Sequence, residues 1–204
     1  MFLMPNRGGG GGATTSARWD DTFFHAGYTT DVTGATVTSS VNSGLLFAVA
    51  DTKVTGKMYW EFQHVFGNWT SVYPGLVDEA HRANGASVSG STELWRNGLG
   101  WNSAGRFLVN GANNFVISGY DGLAVTALMF AYDGDTNEIW VGQNGTWVTR
   151  TPNVNAGWTG YVPLDGGYPA IILPSIGTSA KLNGTAADML YTIPTGFTAL
   201  DGST

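Results

Sequence analysis

Three sets of side chains in this 204-residue chain have the chemistry for a reaction or a metal: the carboxylates, the three histidines and the oxygen-rich run Asp133-Gly134-Asp135-Thr136-Asn137. Glycoside hydrolysis needs two carboxyl groups facing each other across a cleft. Glu61 falls in the middle of a strand pattern, where a sheet-surface position is expected, and Asp133, Asp135 and Glu138 crowd one turn, so no dyad is read. His25, His64 and His81 lack the close spacing of a clustered metal site. The Asp133 run alternates oxygen ligands as a calcium loop does, but Glu138 follows too soon to close the shell, and an Asx turn is expected instead. There is no cysteine and no Gly-x-Ser-x-Gly elbow, so a nucleophile has no support. The glycines punctuate turns rather than joining a strand to a helix, which leaves no phosphate loop. The expectation is a non-enzymatic protein with no catalytic residue, metal or cofactor.

Composition says what kind of scaffold carries these groups. Thirty glycines and only 12% charged residues, against 13% aromatics, are the make-up of short strands joined by tight turns rather than of a disordered chain. Net charge is −6 and the nine basic residues are scattered singly, so no phosphate-neutralising patch for nucleic acid can be drawn. The apolar start Met1-Phe2-Leu3-Met4 is broken at Pro5, far short of a signal-peptide core or a spanning helix. A soluble chain without a cleaved signal is expected, with neither nucleic acid nor membrane as partner.

Two regions are expected. Residues 1–17 form a flexible or extended arm: an apolar and basic head, the glycine run Gly8 to Gly12, then small residues with little to pack. Residues 18–204 form one β-domain. Alternation is strongest over Met58 to Val65, where Trp60 and Phe62 share one face and Glu61 and Gln63 the other. Other strands are expected at Thr36 to Thr38, Leu45 to Val49, Ser71 to Val77, Arg106 to Val109, Phe115 to Ser118, Tyr168 to Leu173 and Ser179 to Leu182. Ala127 to Tyr132 and Glu138 to Gln143 make a central hairpin about the Asp133 turn. Single helical turns are expected at Asp78 to Asn84 and Thr185 to Tyr191. Frequent strands without intervening helices argue a sandwich or barrel.

A series of ordered motifs then resembles one family. Gly56-Lys57-Met58-Tyr59-Trp60-Glu61-Phe62 resembles the opening strand of SPRY domains, and Pro74-Gly75-Leu76-Val77 with Gly98-Leu99-Gly100-Trp101 resembles their next two segments. Asp133 to Trp147 is similar to the Asp-x-x-x-Gly-x-Ile/Leu-Trp-Phe-x-x-Asn-Gly-x-Trp hairpin, with Asn137 where the family usually has glycine. Tyr168-Pro169-Ala170-Ile171 and the closing Tyr191 to Leu200 complete the series. The ending Gly196-Phe197-Thr198-Ala199-Leu200, and the stretch from Trp19 to Gly56, are similar to SPRY modules of bacteriophage virion proteins. The resemblance implies an all-β, jelly-roll-like two-sheet antiparallel sandwich that binds partners through loops at one edge, and it supplies no catalytic residue.

Partner contacts are expected at two places. In the arm they are Phe2, Leu3, Met4 and Arg7. In the loops they are Trp69, Tyr73, Arg82, Trp95, Arg96, Tyr120, Trp158 and Tyr161, because Tyr and Trp offer stiff, wide contact area with a polar handle and arginine offers charge. Trp60, Trp101, Trp140 and Trp147 are read as packing. The expected role is a bacteriophage virion structural protein, a capsid decoration or head-fibre protein held by its arm, located in the virion after synthesis in the host bacterial cytoplasm. Its partners are then other virion proteins, with homo-oligomerisation open. The alternative is a tail-associated receptor-binding module that recognises host surface glycan or protein.

Overall fold

Strand-forming alternation builds two sheets in the computed structural model, which describes residues 17–21, 27–42, 47–70, 72–79, 82, 99–101, 106–109, 112–116, 124–147, 158–159 and 166–204. The first sheet runs in the order β1 (Tyr28–Thr30), β2 (Thr36–Ser39), β14 (Ser179–Asn183), β4 (Lys57–Phe66), β9 (Ala127–Asp133), β10 (Glu138–Gln143) and β11 (Thr146–Trp147), numbered along the chain. Two short strands complete it: β12 (Trp158–Thr159) on β10, and β15 (Thr198–Ala199) on β4. The second sheet runs β3 (Phe47–Val49), β13 (Tyr168–Ile172), β5 (Tyr73–Val77), β6 (Leu99–Trp101), β7 (Arg106–Val109) and β8 (Ala112–Val116). All described pairings between these strands are antiparallel except β15 on β4. Of the sandwich or barrel that the strand pattern left open, the chain forms the all-β two-sheet sandwich that the family resemblance implied.

The main core lies between the sheets. Trp60 and Phe62 of β4, Leu128 and Phe130 of β9 and Val141 of β10 pack in one cluster with Ala48, Leu76 and Ile171 of the second sheet. Trp60 stacks on Phe130 with centroids 5.3 Å apart, and Phe62 meets the Phe130 edge at 5.5 Å. On β4 and β9 the opposite face is also buried, because the chain after β14 crosses it. Met189, Tyr191, Ile193 and Phe197 cover Tyr59, Met129 and Ala131 beside Trp140 and Trp147.

That crossing corrects the expected surface position of Glu61. Its carboxylate is 0% exposed and accepts from the Tyr59 hydroxyl at 2.7 Å, Asn183 Nδ2 at 3.1 Å, and the Leu190 and Tyr191 N–H groups at 2.9 and 3.0 Å. A buried carboxylate needs such donors to replace its water shell. The same clamp explains why the expected helical turn over Thr185 to Tyr191 is a 3-10 turn at Ala186–Asp188 only. Beyond it Leu190 and Tyr191 give their N–H groups to Glu61 rather than to a helix. The strands β1 and β15 also lie outside the expected set, being two or three residues long with no pattern to read.

The central hairpin follows its turn chemistry. Asp133 Oδ1 accepts the Asp135 N–H at 2.9 Å, which is the expected Asx turn, and Lys57 Nζ sits 2.7 Å from Asp133 Oδ2. Asn137 has φ 52°, so the residue standing where SPRY domains usually carry glycine still takes the left-handed backbone that asparagine tolerates. Among the described residues no group of three His, Asp or Glu side chains is placed to hold a metal, and no helix is long and apolar enough to cross a membrane.

Candidate protein-docking corner

One end of the first sheet departs from regular alternation. Along β4 and β14, Phe62 faces Leu182, Gln63 faces Lys181 and His64 faces Ala180, but Ser179 then faces Phe66. Val65 is therefore the extra residue of a β-bulge. A bulge adds one residue to one strand and re-aims the side chains beyond it. Strict alternation from Trp60, Phe62 and His64 sends Phe66 into the core; with the extra residue, Val65 is 50% and Phe66 69% exposed.

Two other segments meet this strand end. Gly177 N–H donates to Ser39 O at 2.8 Å, and Ser39 N–H donates to Thr178 O at 3.0 Å, joining the turn between β13 and β14 to the end of β2. Ile176 N–H donates to Asn42 Oδ1 at 2.9 Å, and the Ser39 hydroxyl donates to Val41 O at 2.8 Å. Gly67 closes the corner with φ +90°; a Cβ there would sit 2.7 Å from Thr178 Cα. The bonds hold Val41 and Ile176, both exposed, at the same end as Val65 and Phe66. Among the described residues only Val32 and Leu190 are other large hydrophobics so exposed. None of residues 39–42, 65–67 and 175–179 carries a charge.

Beneath the corner lies Trp69. It was expected at the surface as a partner contact; instead it is 1% exposed, its indole N–H donates to Ser179 O at 3.3 Å, and it packs with the inter-sheet core. The loop folds inward because Val72 N–H turns back to Trp69 O at 3.2 Å, and burying so large a ring outweighs leaving it in water. His64 lies against it with ring centroids 5.0 Å apart, its Nδ1 3.1 Å from Val125 O and its Nε2 3.0 Å from Gly67 O.

The other expected contacts scatter. Arg82 was expected to make a polar or anionic partner contact, but its guanidinium pairs with Asp20, approaches Glu79 Oε1 at 3.3 Å and lies 4.3 Å over the Tyr168 ring. Burial opposes its charge, yet the bond to Asp20 and that carboxylate's charge outweigh the loss and raise its pKa. Its charge is compensated inside the chain. Tyr73 is half-buried against the cluster of Phe47, Val49, Val77, Tyr168, Ala170 and Ile172, the face of the second sheet turned from the main core. Trp158 belongs to the two-residue strand β12, paired with Ile139. Phe2, Leu3, Met4, Arg7, Trp95, Arg96, Tyr120 and Tyr161 lie outside the described residues.

Sequence reasoning passed over Val65, Phe66, Val41 and Ile176 because it looked for Tyr, Trp and Arg. A legible signal existed in the adjacent apolar pair Val65-Phe66, which breaks alternation just before Gly67.

Solved structures share this architecture. The TRIM65 PSpry domain matches with TM-score 0.59 and 14% identity over 82% of this chain and 89% of that one. The SPRY domain of human HERC1 matches with TM-score 0.60 and 16% identity over 81% and 96%. The fold is SPRY-like. Stonustoxin matches with TM-score 0.55 and 15% identity over 82% of this chain, which spans only 26% of that larger one. No family model matches the sequence, and no curated protein does.

Proposed function

We propose that this protein is an interaction module that captures an uncharged, apolar segment of a partner protein at the corner made by Val41, Val65, Phe66 and Ile176. The observation that carries the reading is the β4 bulge, which turns two adjacent apolar side chains to solvent on a framework tied by main-chain hydrogen bonds. Apolar groups held rigidly in the open lose little entropy on binding, and the absence of charge from the three segments disfavours an ionic partner.

Peptide-display selection against the immobilised protein tests this, with Phe66→Asp/Ile176→Asp as the counter-target and Val32→Asp as the control for a lone exposed apolar residue. Selected peptides are expected to be apolar and uncharged, to lose about 100-fold in affinity for the double variant, as hot-spot removal does, and to bind the Val32 variant normally. Equal binding to the double variant overturns the reading.

The finer assignment is a bacteriophage capsid decoration or head-fibre protein anchored by residues 1–17. It is supported by the similarity of the opening and closing segments to virion SPRY modules and by the glycine run behind Phe2, Leu3 and Met4. Removing residues 1–17 should abolish incorporation into particles while the sandwich still folds. Truncated protein that decorates particles at wild-type occupancy ends the anchoring idea.

A further inference from the structure

We propose that His64 is a proton-operated pin beneath the docking corner, locking it when the imidazole is doubly protonated and loosening it as pH rises. That it regulates binding rests on the docking reading above; the pin itself does not. Both ring nitrogens face main-chain carbonyl oxygens, Nδ1 at 3.1 Å from Val125 O and Nε2 at 3.0 Å from Gly67 O. A carbonyl only accepts, and a neutral imidazole has one donor and one acceptor nitrogen, so only the imidazolium donates to both. The neutral ring sets a nitrogen lone pair against one of the two oxygens.

Trp69 presents its indole at 5.0 Å, tilted by 41°, where a cation is attracted to the aromatic system. The described residues that bond to, pair with or stack on His64 carry no ionisable group. They are Val125 and Thr126 before β9, Ala180 on β14, and Gly67 and Trp69 in the connection to β5. Lys181, one residue along β14, is held 2.8 Å from Asp188. Histidine changes charge between about pH 5 and 8.

The pin acts on the corner through position. Gly67 follows Phe66 directly and lies against Thr178, so in the neutral tautomer that keeps its proton on Nδ1, facing Val125 O, the Gly67 carbonyl loses its donor and the turn that carries Phe66 is loosened. His64 is thus a positioning residue for the corner. The lock is in place at acidic pH and lost as pH rises.

The test uses the whole protein, isotopically labelled. At about pH 5.5 both ring N–H groups should show cross-hydrogen-bond correlations, one to the Gly67 carbonyl and one to that of Val125. At about pH 8.5 the correlation to the Gly67 carbonyl should vanish while that to Val125 remains, and amide exchange at Asn68, Trp69 and Thr70 should quicken about tenfold beyond its intrinsic pH dependence, the effect of one lost hydrogen bond; loss of the Val125 correlation instead overturns the pin. His64→Gln should show no such extra step. A corner-binding peptide from the display selection should bind about tenfold tighter at the lower pH to wild type, and equally at both to His64→Gln. A single correlation at the lower pH, or the same exchange profile in wild type and variant, overturns the pin. If the pin is seen but peptide affinity is the same at both pH values, its regulatory role is overturned. If no peptide uses the corner, the docking reading fails while the exchange and correlation data still decide the pin.

Discussion

Glu61 accepts the main-chain N–H of Tyr191 at 3.0 Å across 130 residues of sequence, and this contact fastens the C-terminal crossing segment to the centre of the first sheet. Without that segment the aromatic face of β4, β9 and β10 would be open to solvent. The clamp also sets the ionisation of its neighbours. Burial, then the hydrogen bond to Glu61 and its charge, pushes the Tyr59 phenol up, so that it stays a donor; burial and the Glu61 charge raise Tyr191 too.

Glu61→Ala should therefore do more than a surface change at a polar strand position. It leaves the Tyr59 hydroxyl, Asn183 Nδ2 and two main-chain N–H groups without their acceptor. Losses of about 1–3 kcal/mol for each buried group, not fully additive, predict destabilisation of at least about 3 kcal/mol. Denaturant unfolding measures the total. Hydrogen exchange should show the Leu190 and Tyr191 amides losing protection first, and a loss spread evenly over both sheets would count against the clamp.

Gly67→Ala should be severe for so small a change. The backbone sits at φ +90°, and the new Cβ would lie 2.7 Å from Thr178 Cα, a main-chain atom that cannot rotate away. Backbone strain of about 1–3 kcal/mol with the clash added predicts a loss of roughly 2–4 kcal/mol, read by thermal or denaturant unfolding. A neutral result would mean that the two connections do not touch.

Trp69→Ala separates a buried ring from a surface contact. From within the core the loss should be about 3–5 kcal/mol; an exposed loop tryptophan would change stability by less than about 0.5 kcal/mol. Equilibrium unfolding distinguishes the two directly.

The acid limb of stability should depend on Lys57 and Asp133. Burial pushes the Asp133 carboxyl up, but the Lys57 hydrogen bond, the Asp135 N–H and the Lys57 charge together hold it below the usual aspartate range. Asp188 is held low in the same way by Lys181 and Thr185. A carboxyl lowered in the folded state stabilises above its unfolded value, near pH 3.9, and loses that contribution as pH falls through the folded value. Lys57→Met should therefore be less stable than wild type at pH 7, with the gap closing as pH falls through the folded-state value of Asp133. A gap that does not vary with pH would show that the pair does not set it.

Asn137 tests how far the hairpin depends on local backbone. At φ 52° glycine is unstrained, so Asn137→Gly should stay within about 1 kcal/mol, the loss being its 3.2 Å bond from the Tyr132 hydroxyl. Asn137→Val places a β-branched residue in the left-handed region and should lose about 1–2 kcal/mol. The difference between the two variants in unfolding free energy is the measurement.

Much of the sandwich was legible because its determinants are local. Alternation over Met58 to Val65 and the turn residues between β9 and β10 state strand and hairpin directly, since side-chain direction reverses at every residue and Asn or Gly accept positive φ. The same reading put Trp60 and Phe62 on one face and Glu61 on the other, which the structure keeps. What alternation could not say is whether the second face meets water. That depends on where residues 184–197 travel after β14, a non-local matter decided by tertiary packing and the Glu61 clamp.

The candidate site divides along the same line. Residue type alone nominated Trp69 and Arg82, and residue type is sound evidence of what a side chain does once exposed. Exposure is set by the chain's return path. Trp69 is drawn under the corner by the turn at Val72, and Arg82 is matched by Asp20 from a distant segment. Residue order is enough for an all-β chain, its central hairpin and the shared face of Trp60 and Phe62, because periodicity and turn chemistry act over a few residues. Packing settles the rest: Glu61 is buried, one extra residue at Val65 turns Phe66 outward, and His64 bridges two carbonyls. Each of those facts depends on a register or a contact with a segment far along the chain, which local pattern shows at most as a break in alternation, as at Val65-Phe66.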